Sequence, residues 1–193
     1  MNRADAIHDV EEHFDGGGFV KDLARRVAIP TESQDPGRGA ELSAYLDLEM
    51  RPTLEGMGFR CTTLANPVGK GGPFLMAERI EDPARPTILT YGHADVIRGQ
   101  EAQWREGLSP WALTREGDRL YGRGTADNKG QHSINLAAMA AVLACRGRLG
   151  FNVKVLLETG EEVGSPGLRE VCAAHKEQLA ADVLIASDGP RIQ

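Results

Sequence analysis

Residues 86–95 read Pro-Thr-Ile-Leu-Thr-Tyr-Gly-His-Ala-Asp, and this stretch decides the predicted fold. Its first six residues form a largely apolar, β-favouring run, which is typical of a strand buried on both faces inside a sheet. Polar groups follow at once in His93 and Asp95. Because open α/β sheets bind their ligands beyond the strand ends, the stretch predicts both a central strand and a candidate site.

The flanking sequence predicts an alternation of helices and strands around this strand. Helices are expected at 3–14, at 19–27, from 42 to Gly56 or Gly58 with a kink at Pro52, at 129–146 and at 167–179. Strands are expected at 59–64, 73–80, 153–157 and 183–186, with a β-hairpin over 112–122. The pattern indicates an α/β fold, a three-layer sandwich with a mainly parallel central sheet.

Composition narrows the class of protein. A chain of 193 residues with 41% hydrophobic content can bury the core of one domain. Its net charge of −6 and scattered basic residues argue against a nucleic-acid partner. No apolar run reaches the ~18 residues of a membrane span, and the polar N-terminal residues are unlike a signal peptide. We therefore expect no membrane partner and a cytoplasmic location. Three distant cysteines predict reduced packing residues.

The first polar cluster is His93-Ala94-Asp95. Side chains two residues apart in an extended segment point to the same side, so the carboxylate can hold the imidazole. A metal-binding histidine usually donates its second ring N–H to such a partner. The alternative is a strand-end histidine that is hydrogen-bonded to a turn carboxylate. If the motif stood alone, this alternative would be favoured.

The second cluster is Asp127 within Gly122-Arg123-Gly124-Thr125-Ala126-Asp127-Asn128-Lys129-Gly130. The glycines permit an irregular backbone just before a helix, so Asp127 can reach over the sheet edge. A phosphate-binding loop is excluded because the required third glycine is missing. A simple helix N-cap is the alternative for Asp127.

Two further acidic clusters follow the last strands. Glu161 and Glu162 come after the strand over 153–157, and Asp188 ends the strand over 183–186. Adjacent side chains in an extended segment point to opposite sides, so one glutamate can bind metal while the other acts as general base toward a water. The alternative for Glu161 and Glu162 is a solvated acidic loop, and the alternative for Asp188 is a plain turn.

The four clusters together indicate a metal site. Two close divalent ions need a neutral imidazole, several carboxylates and positions left open for water. Two nearby residues receive a different prediction: His132 is expected to be packed or at the surface rather than in the site, and Lys129 is expected to be exposed.

The order His93-x-Asp95, Gly124-x-x-Asp127-x-Lys129-Gly130, Glu161-Glu162 and Ser187-Asp188-Gly189 resembles the M20 family of metallopeptidases, from about residue 18 onward. The resemblance implies that His93 and Asp188 bind one zinc, that Asp127 bridges two ions and that Glu162 binds the second. It also implies that Asp95 orients His93, that Glu161 is the base and that the Asp127–Asn128 peptide is cis. Asp at position 188 is more similar to the dipeptidases and carboxypeptidases than to the deacylases.

The resemblance implies a function and an incomplete architecture. Residues 1–193 would be the N-terminal part of a catalytic domain, without the lid or dimerisation domain and without a further metal-binding histidine. His8, His13 and His175 match no motif and are expected on helix surfaces.

The leading hypothesis is a zinc-dependent hydrolase that uses metal-activated water. Its substrates would be the amide bonds of dipeptides or of C-terminal residues of small peptides. The complete site would hold two zinc ions, or cobalt or manganese in their place. An N-acyl amino acid deacylase is one alternative, and a non-catalytic fragment or metal-binding module is another. An exposed sheet edge, with formation of a homo-oligomer, is also expected.

Overall fold

A five-stranded sheet forms the centre of the molecule in the computed structural model, which describes residues 3–189. The strand order is β1-β2-β6-β3-β7, and a two-stranded hairpin, β4-β5, stands apart from it. The strands are β1 Arg60–Leu64, β2 Phe74–Arg79, β3 Thr87–His93, β4 Thr114–Glu116, β5 Arg119–Tyr121, β6 Asn152–Glu158 and β7 Val183–Ala186. Strands β6, β3 and β7 are parallel, whereas β2 is antiparallel to both β1 and β6. Four of the five strands therefore share one direction, and the predicted α/β class with a mainly parallel sheet is confirmed.

The helices lie on both faces of this sheet. Their bounds are α1 Arg3–Asp15, α2 Gly18–Val27, α3 Gly39–Ala44, α4 Arg51–Gly56, α5 Lys129–Arg146, α6 Leu168–Ala174 and α7 Lys176–Leu179. The helix predicted at about 129–146 is confirmed as α5. No helix within residues 3–189 is long and apolar enough to cross a membrane.

Alternation along the strands builds a core on each face. Leu75 and Val155 point to the side covered by α4 and α5, where they pack with Tyr45 and Leu136. Their neighbours in the same strands point to the other side; Leu156, for example, packs there with residues of α6 and α7. A period of two in side-chain direction accounts for the three layers.

Two predicted helices are interrupted. The helix expected from residue 42 onward contains a π-helical segment, Tyr45–Met50, and α4 then begins with Pro52 in its first turn. Proline has no backbone N–H, so the regular hydrogen-bond pattern cannot continue through it. The helix expected over 167–179 breaks at His175, whose φ of −111° and ψ of 25° depart from helical values. No glycine or proline marks this second break in the sequence.

Strand β3 differs from its prediction in burial. It lies inside the sheet, between β6 and β7, but residues 87–91 are only half-buried. The prediction of a strand buried on both faces was wrong because its neighbour β7 is the edge strand, and all four β7 residues are exposed. Only Gly92 and His93 at the end of β3 are fully covered.

The parallel strands place the candidate site. Strands β3, β6 and β7 end at His93, Glu158 and Ala186, and parallel strands bring their carboxyl ends to one edge of the sheet. The N-terminus of α5 reaches the same edge, since Asn128 bonds to both β3 and the segment after β7.

Candidate metal centre

His93 lies at the middle of the candidate centre, with its side chain fully buried at the end of β3. Its Nδ1 lies 3.0 Å from the carbonyl oxygen of Asp95 and 3.3 Å from Oδ1 of the same residue. Because a carbonyl oxygen only accepts, Nδ1 carries a proton and donates it, and Nε2 faces the open side. Nε2 lies 2.9 Å from Oδ1 of Asp127.

The carboxylates around His93 favour its protonated ring when no metal is bound. Burial by itself lowers the pKa of His93, but the hydrogen bonds and charges of Asp95, Asp188 and Asp127 outweigh burial and raise the pKa to about 9. A cation that replaced this proton would be stabilised by the same negative charges.

Asp95 connects two of the converging loops. It is fully buried, and besides contacting His93 it accepts hydrogen bonds from the backbone N–H groups of Glu161 and Glu162, each at 3.1 Å. The sequence pattern indicated the contact with His93 but not the contact with the glutamate turn. One carboxylate therefore fixes the imidazole and the backbone that carries both glutamates.

The acidic residues form two groups that share His93. The first is His93, Glu161 and Asp188, and the second is His93, Asp127 and Glu162; within each group the ligand atoms lie within 4.8 Å of one another. The distances from Nε2 of His93 to Glu161 Oε2 and to Asp188 Oδ2 are both 3.8 Å. The structure thus brings all six residues singled out from the sequence to one place.

Negative charge accumulates at this edge of the sheet. Burial raises the pKa of Glu161, and the nearby carboxylates of Asp188, Asp95 and Asp127 raise it further. Burial and the charge of Asp127 likewise raise the pKa of Glu162. Carboxylates that crowd one another are stabilised by a bound cation, which neutralises their repulsion.

Asn128 is a residue of the site that sequence reasoning missed. The Asp127–Asn128 peptide is cis, as the family resemblance implied. The buried side chain accepts from the backbone N–H of His93 at 3.2 Å and donates to the carbonyl of Ser187 at 2.7 Å. It therefore cross-links the ends of β3 and β7. The partners lie 35 and 59 residues away, so no local pattern could have revealed them.

The expectation that Lys129 is exposed was wrong. Its side chain is fully buried, and Nζ donates to the carbonyls of Arg26 at 3.0 Å and Ile29 at 2.7 Å. Carbonyls at the end of a helix have no partner within the helix, and Lys129 supplies one at the end of α2. Burial lowers the pKa of Lys129 to about 7.

The other histidines lie outside the centre. His132 is packed, as expected, with Nε2 at 2.7 Å from the hydroxyl of Tyr45. His8 and His13 are exposed on α1, and His175 lies half-buried between α6 and α7.

Residues 89–192, more than half of the chain, match the model of peptidase family M20/M25/M40. The chain belongs to this family. The M20 resemblance inferred from the ordered motifs is therefore confirmed, and the site described above lies at the strand ends of an M20 peptidase fold.

Relatives of this M20 chain include dipeptidases. It is 38% identical over 197 residues to the Beta-Ala-His dipeptidase of Mus musculus. The alignment covers 94% of this chain and 39% of the relative. The chain is also 38% identical over 109 residues to the cysteinylglycine-S-conjugate dipeptidase of Corynebacterium striatum, covering 55% of this chain and 23% of that protein.

A solved structure agrees with the fold. Human carnosine dipeptidase 1 superposes with a TM-score of 0.88 at 30% identity, over 97% of this chain and 41% of that chain. The M20 chain thus spans about two fifths of the length of the mouse relative and of the human structure.

Proposed function

We propose that residues 1–193 are the N-terminal part of the catalytic domain of a zinc-dependent M20 dipeptidase. The observation that carries the proposal is the convergence of four loops, remote in sequence, on Nε2 of His93. Three carboxylate oxygens lie within 3.8 Å of this nitrogen. A solvated acidic loop or an isolated N-cap would not bring them there.

The donor set fits zinc. Imidazole nitrogen and carboxylate oxygen are both common ligands of Zn²⁺, and cobalt and manganese accept similar sets. We assign His93 and Asp188 to one ion, Glu162 to a second, and Asp127 to both. Asp188 lies in one group of ligand atoms around His93, and Asp127 and Glu162 lie in the other, whereas the second ion follows from the family resemblance.

Zinc in such a site supplies Lewis-acid chemistry, since it polarises a scissile carbonyl and makes water more acidic. We assign the role of general base to Glu161, which is half-exposed and whose pKa is raised by burial. A base with a raised pKa holds a proton more readily and can pass it to the leaving amine. Asp95 would keep His93 in the tautomer whose Nε2 faces the ion.

Glu161 also belongs to one of the two possible ligand groups, so its role needs its own test. Glu161→Gln removes the base but keeps the size of the side chain. If Glu161 is the base, this variant keeps its zinc content and loses turnover by a factor of about 10²–10⁴. Loss of one zinc equivalent together with turnover would make Glu161 a ligand instead.

The proposed substrates are dipeptides and the C-terminal residues of small peptides. The names of the mouse and Corynebacterium relatives support dipeptides. Assays of unmodified dipeptides beside N-acetylated and N-succinylated amino acids distinguish a dipeptidase from an N-acyl amino acid deacylase, the alternative within the same class of enzyme.

The length of the chain favours a second candidate, a metal-binding fragment without activity of its own. Because the chain spans 39% of the mouse relative, groups needed for turnover can lie on the remainder. Metal analysis and peptide hydrolysis, measured on the 193-residue chain and on a longer protein that contains it, test both candidates. Zinc-independent hydrolysis by the longer protein would refute the dipeptidase proposal, and hydrolysis by the short chain would refute the inactive fragment.

A further inference from the structure

Glu158, the last residue of β6, is a buried acid for which the proposed metal site has no role. Its Oε1 accepts two hydrogen bonds, from the hydroxyl of Tyr91 at 2.5 Å and from the hydroxyl of Ser165 at 2.9 Å. Its Oε2 is buried and has no hydrogen-bond partner among residues 3–189. A buried oxygen without a hydrogen-bond partner destabilises the fold. Any stabilising or positioning effect of the Glu158 side chain must therefore come from the hydrogen bonds of Oε1.

One of the two hydroxyl groups bound to Oε1 belongs to Ser165, at the end of the turn that carries Glu161 and Glu162. The chain leaves β6 at Glu158 and returns to the same side chain at Ser165. Within the turn, the carbonyl of Gly160 accepts from the backbone N–H of Ser165 at 2.8 Å. Ser165 has a φ of 50°, in the left-handed region that non-glycine residues rarely adopt. The surroundings must hold such a residue in place, and its hydroxyl is the group that reaches Glu158.

The opposite side of the turn is bound by Asp95, which accepts from the backbone N–H groups of Glu161 and Glu162. Two carboxyl groups therefore hold the turn, Asp95 at its beginning and Glu158 at its end. Glu158 is itself fixed to β3, because its carbonyl accepts from the backbone N–H of Ala94 at 2.8 Å and because it pairs with His93 in the sheet register.

We propose that Glu158 is a positioning residue, which acts through the hydroxyl of Ser165 to hold Glu161 and Glu162 in the orientation that binds metal. This inference rests on the proposed function. Glu158 itself contacts neither metal nor substrate in this role. Groups that orient metal ligands typically change metal affinity by about 10- to 100-fold when they are removed.

The test compares two substitutions that each remove one hydroxyl from the same oxygen of Glu158. Ser165→Ala removes the contact to the turn, and Tyr91→Phe removes the contact to β3. Zinc affinity is measured by chelator competition on the full chain, beside thermal unfolding without metal. We expect Ser165→Ala to weaken zinc binding by about 10-fold and to change the visible spectrum of bound Co²⁺. Tyr91→Phe should bind zinc as wild type does.

Substitutions of Glu158 itself give a second comparison. Glu158→Gln keeps Oε1 as an acceptor for Ser165, so its zinc affinity should stay near that of wild type. Glu158→Leu removes the acceptor and should reproduce the loss seen with Ser165→Ala. A role in folding alone would instead lower the unfolding temperature of Ser165→Ala and leave the Co²⁺ spectrum unchanged.

The outcomes separate this inference from the function on which it rests. Equal zinc affinity and equal Co²⁺ spectra for wild type and Ser165→Ala overturn the role of Glu158 alone. A loss in Tyr91→Phe as large as in Ser165→Ala also overturns it, because the effect would then not pass through the turn. If wild type binds no zinc, or if His93→Ala binds as much as wild type, the proposed metal site fails and this inference fails with it.

Discussion

Oδ1 of Asp127 lies 2.9 Å from Nε2 of His93, although the residues are 34 positions apart. A carboxylate this close to an imidazole favours the charged ring, and Asp127 is one of the groups that raise the pKa of His93. Both residues also belong to one of the groups that could hold an ion. Proton and metal therefore compete for the same nitrogen.

Zinc affinity should consequently depend on pH. The carboxylates around His93 raise its pKa from an ordinary value of 6.5 to about 9, and metal binds only the neutral imidazole. We expect the apparent zinc affinity to rise with pH between 6.5 and 9, by about 10-fold per unit for one released proton. Competition titrations across this range measure the effect, and a pH-independent affinity would contradict it.

The stability of the metal-free chain should change in the opposite direction. A raised pKa means that the folded state holds the proton of His93 more tightly than the unfolded state. The stabilisation is complete below the ordinary value of 6.5 and is lost as the pH rises through about 9. Urea unfolding of wild type and of His93→Asn, compared at several pH values without metal, isolates this contribution, because the variant lacks the titrating ring. Equal pH dependence of the two proteins would disprove it.

Asp95→Asn tests the link between His93 and the glutamate turn. One of the two oxygens that accept from Glu161 and Glu162 becomes an amide, which cannot accept, so a buried N–H loses its partner. We expect a loss of about 1–3 kcal/mol in unfolding free energy and of about 10- to 100-fold in zinc affinity. Asp35→Asn is the matched control, because Asp35 also accepts from a backbone N–H, that of Gly37, in an exposed turn. An equal loss of zinc affinity in the control would argue against a specific role for Asp95.

Lys129→Met tests the anchor between α2 and α5. Methionine fills much of the same space but donates no hydrogen bond, so the carbonyls of Arg26 and Ile29 lose a buried partner. We expect the unfolding free energy to fall by about 1–3 kcal/mol, measured with urea. Lys154→Met is the control, since Lys154 donates to the carbonyl of Ala180 at the surface, and it should cost much less. Equal losses in the two variants would show that burial of the lysine is unimportant.

One edge of the five-stranded sheet, formed by β7 within residues 3–189, leads to a prediction about self-association. Strand β7 is the last strand of the sheet, and Val183, Leu184 and Ile185 are all exposed. An apolar edge strand with unpaired backbone groups tends to pair with another chain, and charged side chains prevent this. We expect concentration-dependent association in light scattering, reduced by Leu184→Lys. Leu48→Lys, at another exposed leucine, should leave it unchanged. A wild-type chain that stays monomeric at all concentrations would refute the prediction.

The sequence was sufficient for features that depend on neighbouring residues. Helix α5 was predicted at about 129–146 and spans Lys129–Arg146, because its apolar pattern lies between the glycine-rich segment and Gly147. The break at His175 was not predicted, since neither glycine nor proline occurs there. The half-burial of β3 was also missed, because it depends on β7, a strand that follows almost one hundred residues later.

The sequence by itself determined the order of strands and helices along the chain, the polar groups that follow β3, β6 and β7, and through these motifs the membership of the M20 family. These features follow from the local pattern of apolar and polar residues and from the turn residues between the elements. Only the tertiary structure decided that Asp95 holds the glutamate turn, that Asn128 joins two strand ends and that Lys129 is buried beneath α2. The physical reason is that a hydrogen bond needs its partners within about 3 Å, and the chain meets that distance between residues far apart only when the whole sheet has formed.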